Sequence, residues 1–181
     1  GLIAVPLNWR LSEDELLTLL LHSAPQVLIV DEHYKDVAER LRPMLPALRH
    51  VILLGPESAG WVSYESLLSQ GADTEPEDLV APDDTLCVVY TSGTTGAPKG
   101  VMLTHRGLMD NCRTSVDSLE LTESDYSVAV LPLFHVGGMW YHLFPCFAAG
   151  TTSFLLSEFD SGGLLSALAA RKATNVHVVP T

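Results

Sequence analysis

The sequence predicts an α/β fold, a mostly parallel sheet covered by helices on both faces. Short apolar runs of strand type alternate with segments of helical pattern, which implies crossover connections between parallel strands. Hydrophobic residues make up 47% of the 181 residues, enough for one sizeable core. No internal repeat, low-complexity segment or linker-like stretch divides the chain, so residues 1–181 read as a single α/β unit.

Each element has its own signal. Leu2 to Leu7 is an apolar strand run. Ser12 followed by Glu15 is a capping box that opens a helix through His22, and Pro25 stops it. Val27 to Val30 is a short buried strand, Asp31 to Leu45 a helix ended near Pro43 and Pro46, Val51 to Leu54 a strand, and Tyr64 to Ser69 a helix. Gly71 to Asp84 holds six acidic residues and two prolines with almost no large apolar side chain, the composition of a solvated surface connection. Beyond residue 104, Thr104 caps a helix from His105 to about Leu119. Then come a strand over Tyr126 to Leu131, a helix over Met139 to Ala149, a strand over Thr151 to Leu155, a helix over Gly163 to Lys172, and a strand over Val176 to Val179.

Charge and cysteine usage exclude several function classes. A formal net charge of -12 repels nucleic acid and anionic membranes. No apolar run reaches the roughly 18 residues of a spanning helix, and the N-terminal residues lack the basic start of a secretion signal. Cys87, Cys112 and Cys146 lie far apart with no CxxC pair, which points to reduced core thiols and a cytoplasmic protein.

Between the strand ending at Tyr90 and the run Val101, Met102, Leu103 lies the stretch Thr91-Ser92-Gly93-Thr94-Thr95-Gly96-Ala97-Pro98-Lys99-Gly100. Gly93 and Gly96 let backbone N–H groups turn inward toward an anion. Thr91, Ser92, Thr94 and Thr95 add hydroxyls, Pro98 stiffens the exit, and Lys99 supplies a point charge suited to phosphate. A Ser/Thr/Gly turn between two hairpin strands is the plain alternative. A Walker A loop is not: counted from Gly93, Pro98 stands where the second glycine belongs, and Gly100 replaces the Ser or Thr after the lysine.

A second element, Leu131-Pro132-Leu133-Phe134-His135-Val136-Gly137-Gly138, ends a strand at a proline and delivers His135 just before a glycine pair. That places His135 at the carboxyl edge of a parallel sheet, where open α/β folds bind ligands. The other histidines form no metal-ligand spacing; His135 and His142 stand seven apart, interrupted by the glycines. There is no Gly-x-Ser-x-Gly elbow and no Cys-His nucleophile pair.

The Tyr90 to His105 stretch closely resembles the phosphate-loop signature of the adenylate-forming (AMP-binding) enzymes, which comprise acyl-CoA synthetases, luciferases and adenylation domains. The Pro-Leu-Phe-His element is similar to one in acyl-CoA synthetases. The resemblance implies an incomplete portion of the N-terminal domain of such an enzyme. That enzyme would be an ATP-dependent acid-thiol ligase that adenylates a carboxylic acid, a fatty acid being the expected substrate, and passes the acyl group to coenzyme A. The resemblance also implies that residues 91–96 and Lys99 hold ATP phosphates, that Thr91 reaches Mg²⁺, and that His135 orients the acid, with Val136, Gly137, Gly138, Met139 and Trp140 lining its pocket. Lys99 and His135 would be the catalytic pair.

Departures from that pattern matter as well. No Tyr-Gly-x-Thr-Glu element, Gly-Asp ribose element or C-terminal domain with its lysine is found, and both ends look cut, so the chain is expected to be an internal piece of a larger enzyme. The alternatives are a peptide-synthetase-like adenylation domain, an aryl-acid ligase, or a non-catalytic nucleotide-binding module. A kinase-like phosphate-loop enzyme would need an acidic Mg²⁺ ligand at a strand end near the loop, and the sequence offers none.

Overall fold

The computed structural model describes residues 1–76, 80–91 and 98–179. They pack as two compact units. One contains Gly1–Asn8, Val80–Thr91 and the chain from Lys99 onward; the other is the described part of Trp9–Leu79.

The Trp9–Leu79 unit opens with α1 (Glu13–Ser23). The Ser12 hydroxyl accepts from the Glu15 N–H while the Glu15 carboxylate accepts from the Ser12 N–H at 2.9 Å, so both halves of the capping box are present. Leu16, Leu19 and Leu20 are the buried face, and Ala24 ends the helix in the left-handed region with its N–H on the Leu20 carbonyl. Three parallel strands follow, β1 (Val27–Asp31), β2 (His50–Leu54) and β3 (Val62–Ser63), in the order β1-β2-β3. The two-residue β3 carries no sequence signal of its own. It leads directly into α3 (Tyr64–Gln70), capped by Ser63.

The helix expected over Asp31 to Leu45 is broken at both ends. Asp31 closes β1, and its carboxylate accepts from the Tyr34 N–H at 3.2 Å, which tightens Glu32–Tyr34 into a 3₁₀ turn before α2 (Lys35–Leu41). Pro43 has no N–H with which to continue the α-helical ladder, and Arg42–Met44 finishes as a second 3₁₀ turn. The Arg40–Glu13 ion pair ties α2 to α1 across an exposed surface, where such pairs contribute little.

In the other unit, β4 (Thr85–Thr91) and β5 (Lys99–Thr104) pair antiparallel, the exception in a set of otherwise parallel pairings. Residues 92–98 alone separate them, fewer than the dozen or so a parallel crossover needs. The expected strand over Leu2 to Leu7 is reduced to one parallel bridge, Ala4 against Cys87, with hydrogen bonds to the Leu86 carbonyl and from the Val88 N–H. Thr104 caps α4 (His105–Leu119) by accepting from the Gly107 N–H at 3.1 Å.

A second parallel sheet has the order β7-β6-β8, with β6 (Tyr126–Ala129) between β7 (Thr152–Leu155) and β8 (Asn175–Val176). Pairing of β6 stops at Ala129, two residues short of the expected end, because the chain then turns through Pro132 toward the next helix. That helical run joins α5 (Val136–Gly138), a π turn (Met139–Leu143) and α6 (Phe144–Ala149), and so begins three residues before the expected Met139. After β7, α7 (Ser161–Arg171) is capped by Asp160. The strand expected over Val176 to Val179 pairs only at 175–176, and Val178 and Val179 are exposed. All three cysteines are free and buried, as core thiols should be. Among the described residues no helix is long and apolar enough to cross a membrane.

Ser12→Ala removes half of the capping box without disturbing the core. It should lower stability by about 1 kcal/mol, read as a shift of the urea midpoint at constant slope.

Candidate functional site

The site begins at the open end of the β4–β5 ladder. Thr91 and Lys99 are the last cross-strand partners, so their side chains leave the same face of the ribbon, and both are exposed. Ser92, Gly93, Thr94, Thr95 and Gly96 lie outside the described residues. One register step back, Tyr90 faces Gly100. A Cβ on Gly100 would meet Val88 Cγ1 at 2.8 Å and the Tyr90 ring at 3.4 Å, so only glycine lets that ring lie across the strand beside the loop.

β4 turns Cys87 and Val89 inward, where they form a buried cluster with Trp140 of the π turn; Val136, Met139 and Phe144 pack around it. Trp140 and Phe144 meet edge to face at 5.6 Å. The strand that leads to Thr91 is therefore packed directly on the helical run that begins after His135.

His135 is exposed and is the N-cap of that run. Its Nδ1 accepts from the Gly137 N–H at 3.2 Å. With Nδ1 as acceptor, the neutral ring carries its proton on Nε2, which makes Nε2–H a donor for an anionic or carbonyl oxygen. The turn before it is tight: the His135 N–H donates to the Pro132 carbonyl at 3.1 Å. Gly138 is buried, and a Cβ there would collide with the carbonyl oxygens of Pro132 and, at 2.6 Å, Leu131. Val136 faces the Trp140 cluster, and Gly137 stands beside the His135 ring.

Sequence reasoning weighed His142 only as a metal ligand and set it aside. Its side chain is 1% exposed, its Nε2 is hydrogen-bonded to the Ser127 hydroxyl in the middle of β6, and its Nδ1 has no partner. The His177 ring lies 4.7 Å away, centroid to centroid. Burial, together with repulsion from His177, pushes the His142 pKa down to about 4, so the ring is neutral at pH 7. The π turn hid this residue, because one extra residue per turn rotates side chains away from the positions a 3.6 period assigns. The turn also frees the Trp140 carbonyl, which Asn111 Nδ2 of α4 occupies at 2.9 Å.

Among the described residues no group of three or more His, Cys, Asp or Glu side chains could hold a metal ion. At the mouth of the loop the exposed Thr91 carries a hydroxyl oxygen, a donor type that Mg²⁺ accepts beside its waters.

Comparison with known proteins settles the family. The model of the AMP-binding enzymes matches residues 1–181. The chain belongs to the AMP-binding enzyme family. An indoleacetate–CoA ligase from Aromatoleum aromaticum is 38% identical over 181 residues, covering 99% of this chain and 35% of that protein. A feruloyl-CoA synthase from an Amycolatopsis species is 36% identical over 182 residues, covering 100% and 34%. Among solved structures, the anthranilate CoA ligase AuaEII in complex with anthranoyl-AMP superposes with a TM-score of 0.87 at 28% identity, over 96% of this chain and 34% of its own. ATP-bound MatB from Rhodopseudomonas palustris gives 0.82 at 28%, over 96% and 33%. The mixed α/β architecture is thus that of the N-terminal domain of adenylate-forming enzymes, and the chain spans about a third of the length of the curated relatives it matches.

The His142 environment sets a pH dependence. Its folded-state pKa of about 4 lies below the ordinary 6.5, so the unfolded chain binds the proton more tightly. The stabilisation is complete above about pH 6.5 and is lost as pH falls through 4. An NMR titration of the His142 C2–H should give a midpoint near 4, and His142→Asn should remove that part of the acid destabilisation; a midpoint near 6.5 would mean an open ring.

Proposed function

We propose that this chain is the phosphate-loop portion of the N-terminal domain of an AMP-forming acid–CoA ligase. The observation that carries the reading is the loop itself, closed by the opposed, exposed Thr91 and Lys99 in a chain of this family. The relatives' names as CoA ligases and synthases support the class of reaction. In that reaction a substrate carboxylate oxygen attacks the α-phosphorus of ATP and pyrophosphate leaves. The thiol of coenzyme A then displaces AMP from the acyl-adenylate, forming a thioester.

The chain's own residues serve the first step chiefly through charge and position. Residues 91–96 offer hydroxyl and backbone donors to the β and γ phosphates, and the Lys99 ammonium, on the same face as the Thr91 hydroxyl, neutralises the charge that builds on departing pyrophosphate. Mg²⁺, when bound through the Thr91 hydroxyl and phosphate oxygens, would supply further charge neutralisation. His135 presents Nε2–H to the acid and steadies the attacking carboxylate, with Val136, Gly137 and Gly138 shaping the space beside it. Adenine, ribose and thiol recognition fall to the remainder of a longer enzyme, for which the greater length of the relatives leaves room. Three buried free thiols suit a reducing compartment, and we place the enzyme in the cytoplasm.

In the enzyme containing this chain, Lys99→Ala should cut carboxylate-dependent ATP–pyrophosphate exchange by about 10²-fold or more, with Thr94→Val acting in the same direction. Near-parental exchange in both variants would reduce the loop to a structural turn.

His135→Ala separates two roles. As a substrate-orienting group, His135 should lower the exchange rate with saturating ATP while the melting temperature moves little, since its side chain is exposed and its hydrogen bond to Gly137 is replaceable by water. A clear drop in melting temperature with unchanged acid kinetics would leave it only the helix cap.

A further inference from the structure

The π turn takes from the Trp140 carbonyl both of its helical donors. In an α-helix the Phe144 N–H would bond that carbonyl, four residues back; here it bonds the Met139 carbonyl, five back. A further π bond, to Trp140, would have to come from residue 145, which is a proline and has no N–H. Trp140 is buried, and a buried carbonyl left unsatisfied is costly. Asn111 of α4 supplies the donor from outside the run, its Nδ2 lying 2.9 Å from the Trp140 oxygen.

Each side of this bond leads to a residue of the proposed site. On the helical run, the His135 carbonyl accepts from the Gly138 and Met139 N–H groups at 3.1 and 3.2 Å, so the residue that Asn111 holds directly follows the turn that fixes His135. On the other side, β5 begins at Lys99 and passes without a break into α4. Asn111 stands two turns into α4, on the face of Leu108, which packs on the Trp140 cluster. Apolar contact is non-directional and sets the register of the two elements only loosely. A hydrogen bond, with its narrow range of distance and angle, fixes it.

Resting on the acid-activating function proposed above, we propose that Asn111 is a positioning residue for adenylation: through the Trp140 carbonyl it holds the run that carries His135 in register with the β5–α4 element that begins at Lys99. Asn111 acts through His135 and not on substrate. The reaction demands such a tie, because the attacking carboxylate and the departing pyrophosphate are held from different elements, and a misplacement of about 1 Å can cost about 10²-fold in rate.

The test is a double-mutant cycle in the enzyme containing this chain, read as kcat/KM for the acid in ATP–pyrophosphate exchange at saturating ATP. Octanoate, benzoate and phenylacetate are the probes, and the cycle uses whichever of them exchanges fastest. Asn111→Leu, close in size but without the donor, should lower kcat/KM by about ten-fold or more. In a His135→Ala background the same substitution should change it by less than about two-fold, because two residues that act as one unit do not add. Partial loss of folded enzyme lowers both backgrounds by the same factor, so a merely structural role cannot imitate that pattern. Asn111→Ser, whose hydroxyl is too short to reach Trp140, repeats the cycle with a milder change in packing. Equal losses in both backgrounds, or parental kinetics in both Asn111 variants, would overturn this inference alone. Parental kinetics in His135→Ala would overturn the orienting role of His135 and this inference with it. No exchange with any of the three acids in the unmodified enzyme would overturn the acid-activating function itself, and the inference that rests on it.

Discussion

The packing of Trp140 on Cys87 and Val89 is the contact on which the rest of the site depends. β4 ends at Thr91 and the helical run begins after His135, so one apolar cluster sets the relation between those two residues. The cluster works because β4 alternates: Cys87 and Val89 share its inner face, and Thr91, next on that face, lies beyond the cover and is exposed. An indole is the largest apolar group available to anchor a helix against a strand, and Phe144 braces it edge to face. The cost is visible too, since the buried Trp140 Nε1 has no hydrogen-bond partner.

The same helical run shows how a π turn distributes consequences. It rotates Trp140 onto β4 and His142 onto β6, and it exposes a backbone carbonyl that Asn111 takes up. Three packing partners on three elements are thereby engaged within five residues. A regular helix would place Trp140 and His142 about 200° apart, and the wider turn of the π segment changes which neighbours each can reach.

Much of this is legible in the sequence because it is local chemistry. Ser12 with Glu15, and Thr104 before His105, announce their helices by capping alone, and the structure has them where those residues stand. The glycine, hydroxyl and lysine composition of residues 91–100 carries the family signature by itself. What does not show are features set by distant partners. The two-residue β3 exists because β2 offers it an edge, and Leu2 to Leu7 lacks strand character except where Ala4 meets Cys87. The burial of His142 depends on Ser127, fifteen residues away and on another element, and on a helical irregularity that no periodicity reports. Asn175, in register with that serine, is invisible for the same reason.

Gly138 decides which positions near the start of the helix can vary. Its missing side chain lets the helix rest directly on the carbonyls of Leu131 and Pro132, backbone against backbone. Main-chain atoms that every sequence possesses thus help to locate the start of the helix, alongside the Trp140 cluster. Side chains around that contact can change without disturbing it, whereas at residue 138 itself a single methyl group would force two stretches of backbone apart.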